Sequence, residues 1–148
     1  MDIVYYWKNM DKDLKSGQIG RFRSDKGKLE ILKAGYPDYI WIIKTPPGDF
    51  GRIQVLAKLA WSDAAPKGYS PNPEDSVMYY DPSYPRSGRF DQCVSGANIE
   101  RTSVWMRENF HASVKANYQG ASGQLELRGE PLRRLQQICS TWPTAPLL

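Results

Sequence analysis

At 148 residues the chain has the length of one domain, with material for one substantial core and too little for two. Apolar residues make up 41% and charged residues 24%, the balance of a folded soluble protein rather than a disordered one. The 20 basic and 16 acidic side chains leave a formal charge of +4, which permits an anionic partner but lacks the charge density of a histone-like tail.

The single histidine, His111, argues against a multi-histidine zinc or iron centre, and no metal or cofactor is expected. Cys93 and Cys139 lie too far apart for a CxxC site, and two lone thiols suit a reducing cytoplasm better than a disulfide framework. The N-terminus lacks a basic region leading into a long apolar run, so no targeting signal is expected. The longest apolar stretch, Tyr39 to Ile43, is too short to cross a bilayer. Aromatic residues are abundant, with 5 Trp, 9 Tyr and 4 Phe. Rings of this kind serve either a core or a stacking pocket.

In chain order, Ile3 to Trp7 is β-branched and aromatic and predicts a first strand. Asn9 to Asp11 can cap a brief turn over Lys12 to Lys15, which Ser16-Gly17 stops. Gly20 to Ser24 leads into a polar turn at Asp25-Lys26-Gly27, and Leu29 to Leu32 fits either a strand or a helical turn. After the break at Gly35 to Asp38, Tyr39 to Lys44 reads as a strand buried on both faces. Thr45 to Gly51 is a strong turn signal. Beyond it Ile53, Val55, Ala57, Leu59 and Trp61 alternate with wetter positions, so an antiparallel hairpin with one more polar face is expected.

Ser62 to Asp75 carries Pro66, Gly68, Pro71 and Pro73 and reads as a long loop, a length that often serves function. Val77 to Tyr80 predicts a strand, and Asp81 to Phe90 another loop. Asn98 is the expected cap of a helix whose apolar positions are Ile99, Met106, Phe110 and Val114. Leu125 to Arg128 predicts a short strand. Pro131 marks the first residue of a last helix, with Leu132, Leu135, Ile138, Cys139 and Trp142 on one face.

Nucleophilic catalysis would have to use His111, and neither cysteine sits in a glycine-rich elbow. No catalytic residue is therefore assigned, and no phosphate-cradling glycine loop is present. A binding site is easier to build. Arg21 and Arg23 flank Phe22, Lys67 and Tyr69 share the long loop, and Arg86 and Arg89 lie between Tyr84 and Phe90. Arginine supplies forked donors to phosphate oxygens, and an exposed ring offers a stacking face to a base.

Tyr5-Tyr6-Trp7-Lys8-Asn9, then Asp13-Leu14, then Phe22-Arg23-Ser24, resembles the opening of the EVE and YTH branches of the PUA-like superfamily. The similarity continues through Ile40 to Lys44, the turn Pro47 to Gly51 and the strand Ile53 to Leu59, about residues 3–61 in all. It implies an α+β fold: one domain over residues 1–148, a small curved and mostly antiparallel β-barrel with flanking helices. It also implies a non-catalytic module that binds nucleic acid and takes a flipped, modified base into an aromatic pocket. By position, Trp7, Lys8 and Asn9 would form the pocket floor, Phe22 and Ser24 one wall and Trp61 the other. Phe22 stands where YTH domains carry tryptophan, and the Pro46-Pro47 turn also departs from the pattern.

The expected function is reading of modified DNA, with RNA as the alternative target. Arg21, Arg23, Arg86 and Arg89 would hold phosphates. A separate nuclease partner and a cytoplasmic location are expected, with no membrane contact. Two rival readings are a small nuclease or toxin-type enzyme built on His111 and a protein-interaction module built on the aromatic loops.

Overall fold

The computed structural model describes residues 1–91 and 94–148, so Cys93 lies outside the described residues. In chain order the elements are β1 (Asp2–Tyr6), α1 (Met10–Lys15), β2 (Arg21–Arg23), α2 (Lys26–Ala34), β3 (Tyr39–Lys44) and β4 (Gln54–Ser62). They continue with β5 (Val77–Asp81), β6 (Gly88–Phe90), α3 (Gly96–Asn109), α4 (His111–Lys115), β7 (Gln124–Leu127), α5 (Gly129–Cys139) and β8 (Thr144–Ala145). A 3-10 turn, Gly120–Gly123, precedes β7.

The strands form one curled sheet in the order β2-β5-β4-β3-β1-β7, a half-barrel with helices on both sides. The α+β class and the mostly antiparallel, curved sheet match expectation. One pairing is parallel, between β1 and β3 (Ile3 opposite Ile40, Tyr6 opposite Ile43), with α1, β2 and α2 in the connection between them. Side chains alternate across this sheet. Ile3, Ile40 and Ile42 therefore enter one core with Met10 and Leu14 of α1 and Leu29 and Leu32 of α2. Val4, Trp41 and Ile43 enter a second core with Trp105 and Met106 of α3 and Leu135, Ile138 and Cys139 of α5.

The β3–β4 hairpin forms as expected, but its alternation does not keep one wet face. Ile42 pairs with Ala57 and Ile43 with Val55, so Leu56 is an extra residue in β4. Such a bulge reverses the facing of every residue beyond it. Ile53 and Val55 consequently join the second core, and Ala57 and Leu59 the first.

Other boundaries also differ from the sequence reading. Gly88–Phe90, inside the expected Asp81 to Phe90 loop, is strand β6 paired with β4. The helix expected to carry Ile99, Met106, Phe110 and Val114 breaks at Phe110 into α3 and α4, because Phe110 leaves helical backbone geometry. The Asp25 region is the start of α2, because the Asp25 carboxylate accepts from the Lys28 N–H at 3.0 Å and caps the first turn. That settles Leu29 to Leu32 as helix. The helix α3 begins at Gly96 after Ser95, not at an Asn98 cap. Pro131 is the third residue of α5, still in the first turn, where its missing N–H costs no helix bond.

The far edge of β4 pairs with β6 at Ala57 and Lys58 and with β5 from Ala60 to Ser62. The buried Ser87 fills this fork: its hydroxyl accepts from the Ala60 N–H at 2.8 Å and donates to the Asp81 carbonyl. Ser87→Ala leaves both main-chain groups without their partner. It is expected to cost about 1–3 kcal/mol, read as a lower urea midpoint at unchanged slope.

Cys139 is a free, buried thiol. Burial pushes it up to about 12, against a smaller opposing effect of Arg101 and Lys58. A thiol held neutral reacts slowly. In a Cys93→Ser background, an aromatic disulfide reagent at pH 8 is expected to label Cys139 only after denaturant is added. Fast labelling of the native chain would contradict this burial.

Candidate functional site

A cleft of about 470 Å³ opens along the edge strand β2 and the end of β5. Gln18, Arg21, Phe22, Arg23 and Ser24 line one side, and Tyr69, Glu74, Asp75, Ser76 and Val77 the other. The two sides meet because β2 pairs antiparallel with β5, setting Arg21 opposite Tyr79 and Arg23 opposite Val77. The Ser24 N–H continues the ladder to the Ser76 carbonyl at 2.9 Å.

The long loop between β4 and β5 is seated on β2 by Gly20. This residue has φ +81, and a Cβ on it would lie 2.8 Å from the Pro66 ring. With Pro66 in place, Tyr69 comes under Arg21, whose guanidinium lies 4.3 Å from the ring centroid. Tyr79 meets Tyr69 edge-on at 6.3 Å. Arg23 is exposed, and no ion pair among the described residues engages Arg21 or Arg23.

The rear wall is rigid. Phe22 is 4% exposed and packs against Tyr5 (4.2 Å between centroids), Trp7 (5.0 Å) and Tyr80 (5.7 Å). Tyr5 donates its hydroxyl to the Arg23 carbonyl at 2.6 Å, and burial together with the Asp13 charge pushes its phenol up to about 12. Ser24 donates to the Gln124 side-chain oxygen at 2.7 Å, and the Asp25 N–H reaches the same oxygen at 3.1 Å. Gln124 begins β7, the opposite end of the sheet path. One amide group thus ties the two edges of the half-barrel together.

Four of the ten expected site residues, Arg21, Phe22, Arg23 and Ser24, share this cleft. Trp7 is not an open floor: it is 5% exposed, and its indole N–H donates to Asp13 at 2.7 Å. Lys8 and Asn9 are exposed in the turn before α1, outside the cleft lining. Trp61 is half-buried against the first core, and its indole N–H donates to Asp63 at 2.9 Å. Arg86 lies 3.5 Å from Asp81, and Arg89 is held by Asp11 at 2.7 Å, so neither joins Arg21 and Arg23.

Sequence reasoning did not place Gln18, Glu74, Asp75 or Ser76 at a site. Only the β2–β5 pairing brings them there. Glu74 and Asp75 balance Arg21 and Arg23, so the cleft suits a polar group with both donors and acceptors rather than a bare phosphate. A guanidinium on a ring supplies a flat face, and a carboxylate accepts from an exocyclic amine.

His111 is exposed at the start of α4, whose Val114 packs into the core on the other face of the sheet from Phe22. Among the described residues no group of three His, Cys, Asp or Glu side chains is placed to hold a metal ion. Nor is any helix among them long and apolar enough to cross a membrane.

No family model, curated protein or solved structure matches the chain.

Proposed function

We propose that the chain is a PUA-like, EVE/YTH-type module that binds nucleic acid without catalysis, modified DNA before RNA, and receives an extruded base in the β2–β5 cleft. The observation that carries this reading is the flat Arg21–Tyr69 pair beside an exposed Arg23 that no ion pair among the described residues engages, in a space of about 470 Å³. That volume lies in the range of small-molecule sites, roughly 300–1,000 Å³, and admits one nucleotide. The base slides along the Arg21–Tyr69 plane, and Glu74, Asp75 and Gln18 read its edge. Arg23, with Lys26 and Lys28 a few residues on at the start of α2, meets the flanking phosphates. Trp7 and Phe22 act behind the site as its rigid backing and do not stack on the guest. A separate nuclease partner and a cytoplasmic location belong to the same proposal.

Titration of oligonucleotides with and without modified bases, at 50 and 200 mM salt, tests it. Three or four phosphate contacts predict a loss of roughly 20- to 150-fold in affinity over that interval. Binding that ignores salt favours an apolar protein partner and overturns the proposal.

A further inference from the structure

Lys58 is a half-buried cation, and no ion pair among the described residues includes it. It projects from β4 on the side of Trp41, with its ammonium 4.1 Å from the Tyr39 ring centroid and 4.9 Å from that of Trp41. Both rings hold the charge by their faces and leave its N–H donors free. Asp2 feels this charge, but its carboxylate accepts from the Trp41 indole N–H at 2.8 Å.

The ammonium borders a cavity of about 130 Å³ whose other cation is Arg86. Phe90, Pro85, Gly88 and Thr144 also line it, and no carboxylate takes part among the described residues. Gly88, opposite Lys58 in the β4–β6 register, adds no side chain to the space. The Arg86 side chain is 68% exposed, and its one ion pair among the described residues, to Asp81, is a loose 3.5 Å contact that leaves most of its donors available.

We propose that this cavity is a binding site for a phosphate group, separate from the β2–β5 cleft and independent of the function assigned to it. At about 130 Å³ the space is small, on the scale of a tetrahedral oxyanion with a few waters. Lys58 supplies a point charge fixed by the two rings. Arg86 closes over the anion with paired N–H donors from the loop between β5 and β6, and the Thr144 hydroxyl, which already meets Tyr84 at 3.1 Å, lies at the rim. The group is either free phosphate or the terminal phosphate of a larger molecule.

Calorimetric titration of the full chain with inorganic phosphate, in a chloride buffer, tests the site. Lys58→Met keeps the stem between the rings and removes the charge. Arg86→Gln changes an exposed side chain and leaves the core intact. Each is expected to weaken phosphate binding about tenfold or more, as the loss of a charge-assisted contact requires. A 5′-phosphorylated oligonucleotide preferred over its 5′-hydroxyl form identifies a strand end as the source. Phosphate binding without that preference identifies the free ion. Both outcomes support the site. No binding at millimolar phosphate, or equal binding by wild type and Arg86→Gln, overturns it.

Discussion

Phe22→Ala is expected to destabilise the fold by about 3–5 kcal/mol, the cost of emptying a packed aromatic site. The ring contacts Tyr5, Trp7 and Tyr80 at once, and β2 has only three residues to hold it in the sheet. Its loss leaves a void that those neighbours cannot fill without moving off their rotamers. Urea unfolding followed by tryptophan fluorescence measures the effect, because Trp7 lies against the deleted ring. The same experiment separates two roles for this residue. A variant within about 1 kcal/mol of wild type that lost only its preference for a modified base would show that Phe22 is an open stacking wall. Trp7→Ala is expected to behave alike, with the further loss of the indole bond to Asp13.

The second large effect is expected on binding. Arg21→Ala removes both a charge and the plane lying over Tyr69, and should lower oligonucleotide affinity about tenfold or more. Arg21→Lys is the sharper variant. It keeps the charge, so the salt dependence should survive, while the flat stacked face is lost and base discrimination falls with it. Tyr69→Ala should reproduce that loss of discrimination. The double variant should lose less than the two single losses combined, because the pair acts as a unit. If Arg21→Lys and Tyr69→Ala both discriminate bases like wild type, the recognition surface is elsewhere on the molecule.

Strand positions were legible where local composition decides them. Ile3 to Trp7, Tyr39 to Lys44 and the Gly/Pro turn at Thr45 to Gly51 all declare themselves through β-branched residues and breakers, and the hairpin followed. The bulge at Leu56 was not legible, because no glycine or proline marks it and the run from Ile53 to Trp61 keeps its alternation in letters while reversing it in space. The parallel pairing of β1 with β3 depends on the long connection through α2, which no short window contains. Asp25 was visible as a polar residue, but its role as a cap depended on reading Leu29 to Leu32 as helix.

The candidate site was half legible for the same reason. Arg21 to Ser24 are consecutive, so their joint presence at one edge needed only a strand. Glu74, Asp75 and Ser76 arrive through pairing with a segment some fifty positions earlier. Aromatic content pointed to rings near the amino terminus, yet could not distinguish an open ring from a buried one. Trp7 and Phe22 went inward because α1 and Tyr80 supply apolar cover on that face.

The Gln124 oxygen joins Ser24 to a residue 100 positions away. Such a closure carries a large entropic toll, and no local segment can form it in advance. The clasp therefore depends on both ends of the sheet being in place. Amide exchange at Asp25, whose N–H points at that oxygen, accordingly reports how often the clasp opens in the native state.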